Sequence, residues 1–410
     1  MAAGPPAAEE GGRLMRRTVL TGARLSVSLP AKVVAAALEH AARLVPTRNT
    51  IPILSNVLLD ARTRPDGTGE LVITATDLDQ SVTLTVPAEV ASPATVTAPA
   101  AILSDALKRA PKDATASFAQ EGTFEQAGND LVVKYGRSRF RLQTLPPDDF
   151  PTLGTPLAPL PQVAGTKVAF SIAADALCAM FDAVEAAISS EETRYYLCGI
   201  YLHHKAGKLR AVATNGHVLS LYEVDAPEGS AGLEGVILPR GLVKTLRGLW
   251  GRSKETLRVA VDKSRIAVEG EGIAVTSKLI DGTYPDYERV VPKSGETALR
   301  TTPAALTGAI ERVMTVDAGK VRSVKMMMEG GEVSLSARHE GSGATETLEA
   351  EPDNLAEGYA IGFNARYALD ALRSLSGAAV EIRMSTPGDP MLWRNPAEAG
   401  AFWVVMPLRV

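Results

Sequence analysis

The sequence predicts an α+β protein of three similar domains, each with two helices packed on antiparallel sheets. Three observations lead there. The chain has 410 residues, which suits two or three domains of about 100–150 residues better than one. Two kinds of amphipathic segment recur three times in the same order, with a period of roughly 125–143 residues. Short alternating or β-branched runs fill the intervals.

The first helix of each copy carries a one-sided apolar stripe at i, i+3, i+4, i+7 spacing, as a helix lying on a sheet requires. Val34, Ala37, Leu38, Ala41, Leu44 and Val45 form it first. Leu177, Met180, Phe181, Val184, Ala187 and Ile188 repeat it, and Leu306, Ala309, Ile310, Val313 and Val316 begin it a third time. The second helix follows a β-like run in VTAPAAILSDALKRAP (96–111), VILPRGLVKTLRGLW (236–250) and IGFNARYALDALRSL (361–375). Pro99, Pro239 and Asn364 stand where a helix start tolerates proline or wants a cap. The expected stripes are Ile102, Leu103 and Ala106; Leu242, Val243 and Leu246; Tyr367, Ala368 and Ala371. Strands with hairpin turns are expected at LVITATDL, LRAVATNG, LRVAVDKSRIAVEG, EVSLSARH and FWVVMPLRV. Residues 1–24, rich in Ala, Gly, Pro and Glu, read as a disordered leader, with Met15 as an alternative start. The expected domains are 25–155, 166–292 and 296–410, joined by Pro-rich stretches near 151–166 and 291–297.

Composition narrows the function classes. Hydrophobic residues make up 45% and charged residues 22% of the chain, an ordinary globular balance. No apolar run approaches the roughly 18–20 residues that span a bilayer, so a soluble protein without membrane partners is expected. Cys178 and Cys198 lack partners at metal-ligand spacing, which suits a reduced cytosol and argues against disulfides. A net charge of −4 gives no global sign of nucleic-acid binding, so any such role rests on local charge.

Longer motifs carry a specific resemblance. TRNTIPILSN (47–56), TATDLD (74–79), GRSRFRLQTLPPDDFP (136–151), EETRYYLCGIY (191–201), VATNGH (212–217), TSKLIDGTYPDYERVVP (276–292), GFNARY (362–367) and VVMPLRV (404–410) occur in order. Over residues 25–410 the chain resembles the bacterial DNA polymerase III β sliding clamp, the processivity factor. The resemblance implies a head-to-tail homodimer closing a ring around double-stranded DNA, sheets outside and helices lining the hole. A ring tethers by topology, so it needs mobile attraction to phosphates and no base reading. The resemblance also implies a groove between the second and third domains for peptide motifs of the replicative polymerase α subunit, the clamp loader and other clamp-binding proteins. It implies no cofactor and no metal, and a place at the nucleoid in the cytoplasm.

Carried over residue by residue, DNA contacts would fall on Arg48, Tyr195, Tyr196, Arg240, Lys244, Lys320 and Arg322. Other cations of the proposed lining helices are Lys32, Arg43, Lys108, Arg109, Lys112, Arg247, Arg312, Arg366 and Arg373, and Lys and Arg on such faces are ordinarily solvated surface. The segment 173–192, read as one helix, resists the scheme: it holds Asp175, Asp182, Glu185, Glu191 and Glu192, with no cation before Arg194. The groove would be lined by Leu197, Thr214, Gly216, His217, Val218 and Leu219, by Pro285, Arg289 and Val290, and by Val404, Val405, Met406, Pro407, Leu408 and Arg409. Apolar walls with an adaptable Met suit peptide capture. Two departures, Asn215 and Val218, stand out: the family pattern Asp-Gly-His-Arg reads Asn215-Gly216-His217-Val218 here, removing a charged rim group; Glu191, besides, stands where a neutral or basic residue would help a DNA contact more. They keep a second reading open, a divergent paralogue that binds partners but tethers DNA weakly. The dimer contact would set Phe140 and Leu142 against Thr315 and Val316 of a second copy.

Catalytic readings find little footing. His203 and His204 are neighbours on a strand and point to opposite faces, while His40 and His339 stand alone. His217 has no Ser or Cys nucleophile motif beside it. Asp77 and Asp79 begin like a calcium loop but lack its Gly and closing Glu. The Gly-Lys pairs at Gly207 and Gly319 lack the rest of a phosphate loop, and Gly270 and Gly272 sit in a hairpin rather than before a helix. No catalytic residue is assigned.

Overall fold

A computed structural model describes residues 24–46, 50–121, 130–151, 153, 168–292, 297–317, 319, 322–375, 377–398 and 400–409. The leader (apart from Arg24), Arg48, Lys320 and most of both Pro-rich linkers lie outside the described residues. Among the described residues six α-helices occur in three pairs, in the order the repeats require: α1 (Ala31–Leu44) and α2 (Ala100–Lys108), α3 (Ala174–Val184) and α4 (Arg240–Trp250), α5 (Pro303–Val313) and α6 (Ala365–Ser374).

The stripes explain the helices. α1 buries Val34, Ala37, Leu38 and Ala41, α3 buries Leu177, Met180, Phe181 and Val184, and α5 buries Leu306, Ala309, Ile310 and Val313. Thr302 caps α5 by accepting from the Ala305 amide at 3.1 Å, and Asn364 caps α6 by accepting from Arg366 at 2.9 Å. Pro99 and Pro239 occupy the cap positions of α2 and α4. Two expectations fail. Ile102 is 56% exposed, because α2 turns Ala100, Leu103, Ala106 and Leu107 inward instead. The acidic segment 173–192 is not one helix: α3 stops at Val184, a 3-10 turn covers Glu185–Ala187, and another begins at Glu192. Ile188 ends the helical run in an extended conformation (φ −62°, ψ 134°), and beyond it the Ser189 hydroxyl accepts from the Glu191 amide at 3.1 Å.

The described chain divides into two compact units, 24–42 with 50–74 and 85–150, and 43–46 with 75–84 and 151–409. The first unit holds a five-stranded antiparallel sheet in the order Glu89–Ser92, Ser26–Pro30, Thr115–Glu121, Asp130–Tyr135, Ser138–Leu142, so that Ser138–Leu142 is an edge. Strand Asn56–Thr63 pairs with Ala94–Pro99 and Gly69–Thr76 beside it.

The second unit contains the other two helix pairs. Its nine-stranded sheet runs Val236–Pro239, Gly199–Lys205, Lys208–Thr214, Val218–Asp225, Ala401–Val405, Met391–Arg394, Val380–Met384, Thr297–Thr301, Glu351–Asp353. Strands of the second and third copies therefore join in one ladder, from Val218 opposite Val405 to Tyr222 opposite Ala401. The strand near the C-terminus is interior, paired on both sides. A four-stranded sheet ends on Ser342–Leu348, which among the described residues pairs only with Glu332–His339. Trp250, Trp393 and Trp403 are all fully buried. No helix among the described residues is long and apolar enough to cross a membrane.

Candidate partner groove and charged helix faces

The ladder between strands 218–225 and 401–405 makes Leu219 and Val404 cross-strand neighbours, and both are buried. They join Leu197, Val212, Leu221, Ile237, Tyr284 and Tyr287 in one apolar cluster, with Tyr196, Ile280, Val291 and Phe402 packed against it. Around this floor stand exposed Pro285, Arg289, Gly216, His217 and Arg409, and half-buried Thr214, Pro407 and Leu408. Val290 is 46% and Met406 36% exposed, so large apolar groups face solvent beside an apolar floor. The chain after the last strand is pinned twice, the Met406 amide donating to the His217 carbonyl at 3.0 Å and the Leu408 amide to Gly362 at 2.8 Å.

The turn 214–218 shows why Asn215 serves in place of Asp. Its Oδ1 accepts from the amides of His217 at 2.9 Å and Val218 at 3.0 Å, bonds that a carboxylate oxygen would accept equally. Thr214 Oγ1 donates to the Val218 carbonyl at 2.6 Å and accepts from the Gly216 amide at 3.1 Å. The same turn recurs at 76–80. There Asp77 Oδ1 accepts from Asp79 and Gln80, Thr76 Oγ1 donates to Gln80, and Leu78 takes the positive φ (78°) that Gly216 takes (89°). Of the aspartates that begin like a calcium loop, Asp77 is a turn cap and Asp79 pairs with Lys278 at 3.0 Å.

Val218 corrects an expectation. It is 2% exposed, beneath the surface rather than on a rim. The charge at this edge comes instead from Arg194, whose Nη2 donates to the Asn215 carbonyl at 3.2 Å and whose Nε donates to Glu191 at 2.8 Å. A Cβ on Gly216 would lie 2.8 Å from the Arg194 Nη1, so a glycine there makes room for the guanidinium. Bonding to Arg194 and then Thr193 keeps Glu191 below the usual carboxylate range, so it is an ionised partner of Arg194. His217 stacks on Tyr367, ring centroids 6.1 Å apart. Arg194 and Tyr367 belong to this surface but were absent from the expected lining. Only the tertiary fold brings them to the 215–217 turn.

The proposed DNA contacts divide. Tyr195 is 55% exposed and sets its ring edge-on to Tyr196 at 5.7 Å. Lys244 and Arg322 are exposed and form no ion pair with any described residue. Arg240 instead donates to the Ile188 carbonyl at 2.9 Å. Arg247 of α4 is ion-paired with both Asp182 and Glu185, so the acidic stretch is partly neutralised by the neighbouring helix. Lys108 pairs with Glu39, Arg312 with Glu346, and Arg366 and Arg373 with Asp370. At the proposed dimer contact, Phe140 is half-buried and stacks on Tyr135 at 5.5 Å, Leu142 is buried, Thr315 is exposed and Val316 half-buried. His339 does not stand alone, its Nδ1 lying 3.6 Å from Asp317. No group of three or more His, Cys, Asp or Glu among the described residues could hold a metal ion.

A repeated helix-pair scaffold, strands fused across copies and an apolar floor with an open rim define a multi-domain binding protein of the clamp type. Comparison with known proteins makes the family specific. Models of the N-terminal, central and C-terminal domains of the DNA polymerase III beta subunit match residues 25–154, 171–286 and 288–409. A beta sliding clamp from Caulobacter vibrioides is 38% identical over 385 residues, covering 91% of this chain and 97% of that protein. A crystal structure of the Caulobacter crescentus beta sliding clamp, with PEG bound at its proposed beta-motif tethering region, superposes with a TM-score of 0.86 at 38% identity, covering 94% of this chain and 99% of that one. A sliding clamp from Bartonella birtlesii, bound to griselimycin, superposes with a TM-score of 0.85 at 32% identity, covering 94% and 100%. The chain belongs to the DNA polymerase III beta subunit family, the beta sliding clamps. It is a processivity clamp of DNA replication.

Proposed function

We propose that two copies of this chain close head to tail into a ring around duplex DNA and hold the replicative polymerase α subunit, the clamp loader and other motif-bearing proteins at the floor of Leu197, Leu219 and Val404. The observation that carries the partner half is the ladder from Val218–Val405 to Tyr222–Ala401, which sets an apolar floor under exposed Val290 and Met406. Burying two Leu or Phe side chains there would contribute about 1.5–3 kcal/mol each before ordering costs. Two free sheet edges, Ser138–Leu142 in one unit and Ser342–Leu348 in the other, favour a head-to-tail contact. The first carries Arg139 and Arg141, ion-paired with Glu121 and Asp130, and the second carries Glu346, ion-paired with Arg312. Edges left open invite pairing, and a heterologous contact that closes makes a ring. We read the domains as 25–155, 166–292 and 296–410, and the chain as non-catalytic, working at the nucleoid in the cytoplasm.

DNA attraction would rest on Tyr195, Tyr196, Lys244 and Arg322, with Arg240 and Arg247 turned toward their own domain. That engagement favours keeping the second reading, a partner-binding paralogue with weak tethering. Loading onto primed circular DNA separates the two. Retention on the circle, with release on linearisation, is expected of the ring; loss from the closed circle with peptide binding intact would leave only the paralogue.

A further inference from the structure

The strand face that carries the groove floor also carries a polar stack that neither DNA nor partner binding employs directly. Tyr201, His203 and Lys205 alternate onto one side of strand Gly199–Lys205, and Arg210 stands opposite His203 across the ladder. His203 is 5% exposed, with Nε2 3.0 Å from the Tyr287 hydroxyl. Arg210 Nη1 donates to that hydroxyl at 3.4 Å. One proton arrangement satisfies both contacts: Arg210 donates to the Tyr287 oxygen, and the Tyr287 O–H donates to the bare Nε2 of a neutral His203. The Tyr201 ring stacks on His203 at 4.8 Å and on Tyr284 at 4.7 Å. Tyr284 and Tyr287 are members of the groove-floor cluster; they flank Pro285 and Asp286, and Tyr287 begins the 3-10 turn that carries Arg289 and Val290.

Charge around the ring is set from three sides. The neighbouring strands contribute Arg210 and, bound to it at 2.8 Å, Glu223. His203's own strand contributes Lys205, with His204 on the opposite face. The 3-10 turn Tyr287–Val290 contributes Glu288, which accepts from Lys205 at 2.6 Å and from Arg210 at 3.2 Å. Both nearby cations are therefore held in place, and both carboxylates, Glu223 and Glu288, are already engaged by them. A proton on Nε2 would face a hydroxyl already engaged by Arg210, in a site with little water. Burial, and then Arg210 and Lys205, hold His203 below the ordinary histidine value.

We infer that His203 is a positioning residue of the partner groove: in its neutral form it holds Tyr287, and with it the 285–290 wall, so that affinity for apolar peptides falls on mild acidification. This rests on the groove reading above. The docked wall disfavours the proton, so its stabilisation is complete above 6.5, the ordinary histidine value, and is lost as pH falls from there toward the depressed value.

The test is fluorescence anisotropy of an end-blocked peptide bearing Leu and Phe and no titratable side chain, against wild type, His203→Gln and His217→Gln. In His203→Gln the introduced amide could accept from Tyr287 but cannot be charged, and His217 is the other histidine of the groove. Wild-type affinity should fall about three- to ten-fold from about pH 7.5 to about pH 5.5. His203→Gln should be flat, and His217→Gln should keep the fall. A flat wild-type profile, or a fall that survives in His203→Gln and vanishes in His217→Gln, overturns the inference. Absence of wild-type binding at about pH 7.5 would instead remove the groove reading. Should His203→Gln not fold, ring resonances of His203 in the wild type decide. A midpoint below 6.5 that tracks the affinity loss supports the assignment, and one above it overturns it.

Discussion

Three guanidinium groups converge on the buried carboxylate of Glu381: Arg383 donates at 2.6 Å, Arg394 at 2.7 Å and Arg300 at 3.1 Å. Burial alone would raise the carboxyl's pKa, but the bonds from Arg383, Arg394 and Arg300 outweigh it and hold the value at about 2. Because the folded value is depressed, the stabilisation is full above the ordinary carboxylate value of 4.5 and drains as pH falls from there toward 2. Glu381→Gln removes the charge and leaves three cations around a buried amide. Since the arginines are partly solvated, a cost of about 2–4 kcal/mol is expected. Urea denaturation should show that loss at neutral pH and a much smaller difference near pH 3; an equal loss at both would refute the charge account. The sequence reveals only part of this site. Arg383 lies two positions along on the same strand face, whereas Arg300 and Arg394 arrive from neighbouring strands through sheet pairing.

At the level of helices, the acidic stretch after Ala173 is less repulsive than its composition suggests, because Arg247 of α4 pairs with Asp182 and Glu185. The double change Asp182→Asn, Glu185→Gln would free Arg247 and add two units of positive charge to that face. If the face meets phosphates, the slope of log affinity for duplex DNA against log salt should steepen by about one, as each added phosphate contact contributes about 0.9. An unchanged slope would show that these helices stand clear of the backbone. The helix pairs themselves were legible in the sequence, since a stripe at helical spacing is a local signal. What closed the acidic run was a local turn of the backbone to extended at Ile188, and what neutralised it was a contact more than 60 positions along the chain. The first is a weak local preference, and the second is set by packing; neither alters a periodicity.

For the molecule as a whole, the proposed assembly rests on two sheet edges. Phe140, stacked on Tyr135 and only half-buried, lies on the edge strand Ser138–Leu142. Phe140→Asp should convert dimer to monomer in sedimentation velocity while leaving peptide binding at Leu219 and Val404 unchanged. A persistent dimer would place the contact elsewhere. The order and number of repeats were readable from the chain. The fusion of the second and third copies was not, because Val218 and Val405 are far apart in sequence and their strands look alike from either side. That fusion has a mechanical consequence. A chain whose second and third copies share a continuous backbone ladder cannot bend there without breaking amide hydrogen bonds in the middle of a sheet. In a ring of such chains this joint would act as a stiff arc. Amides of 218–222 and 401–405 should then be among the slowest to exchange with deuterium, before and after the ring is opened.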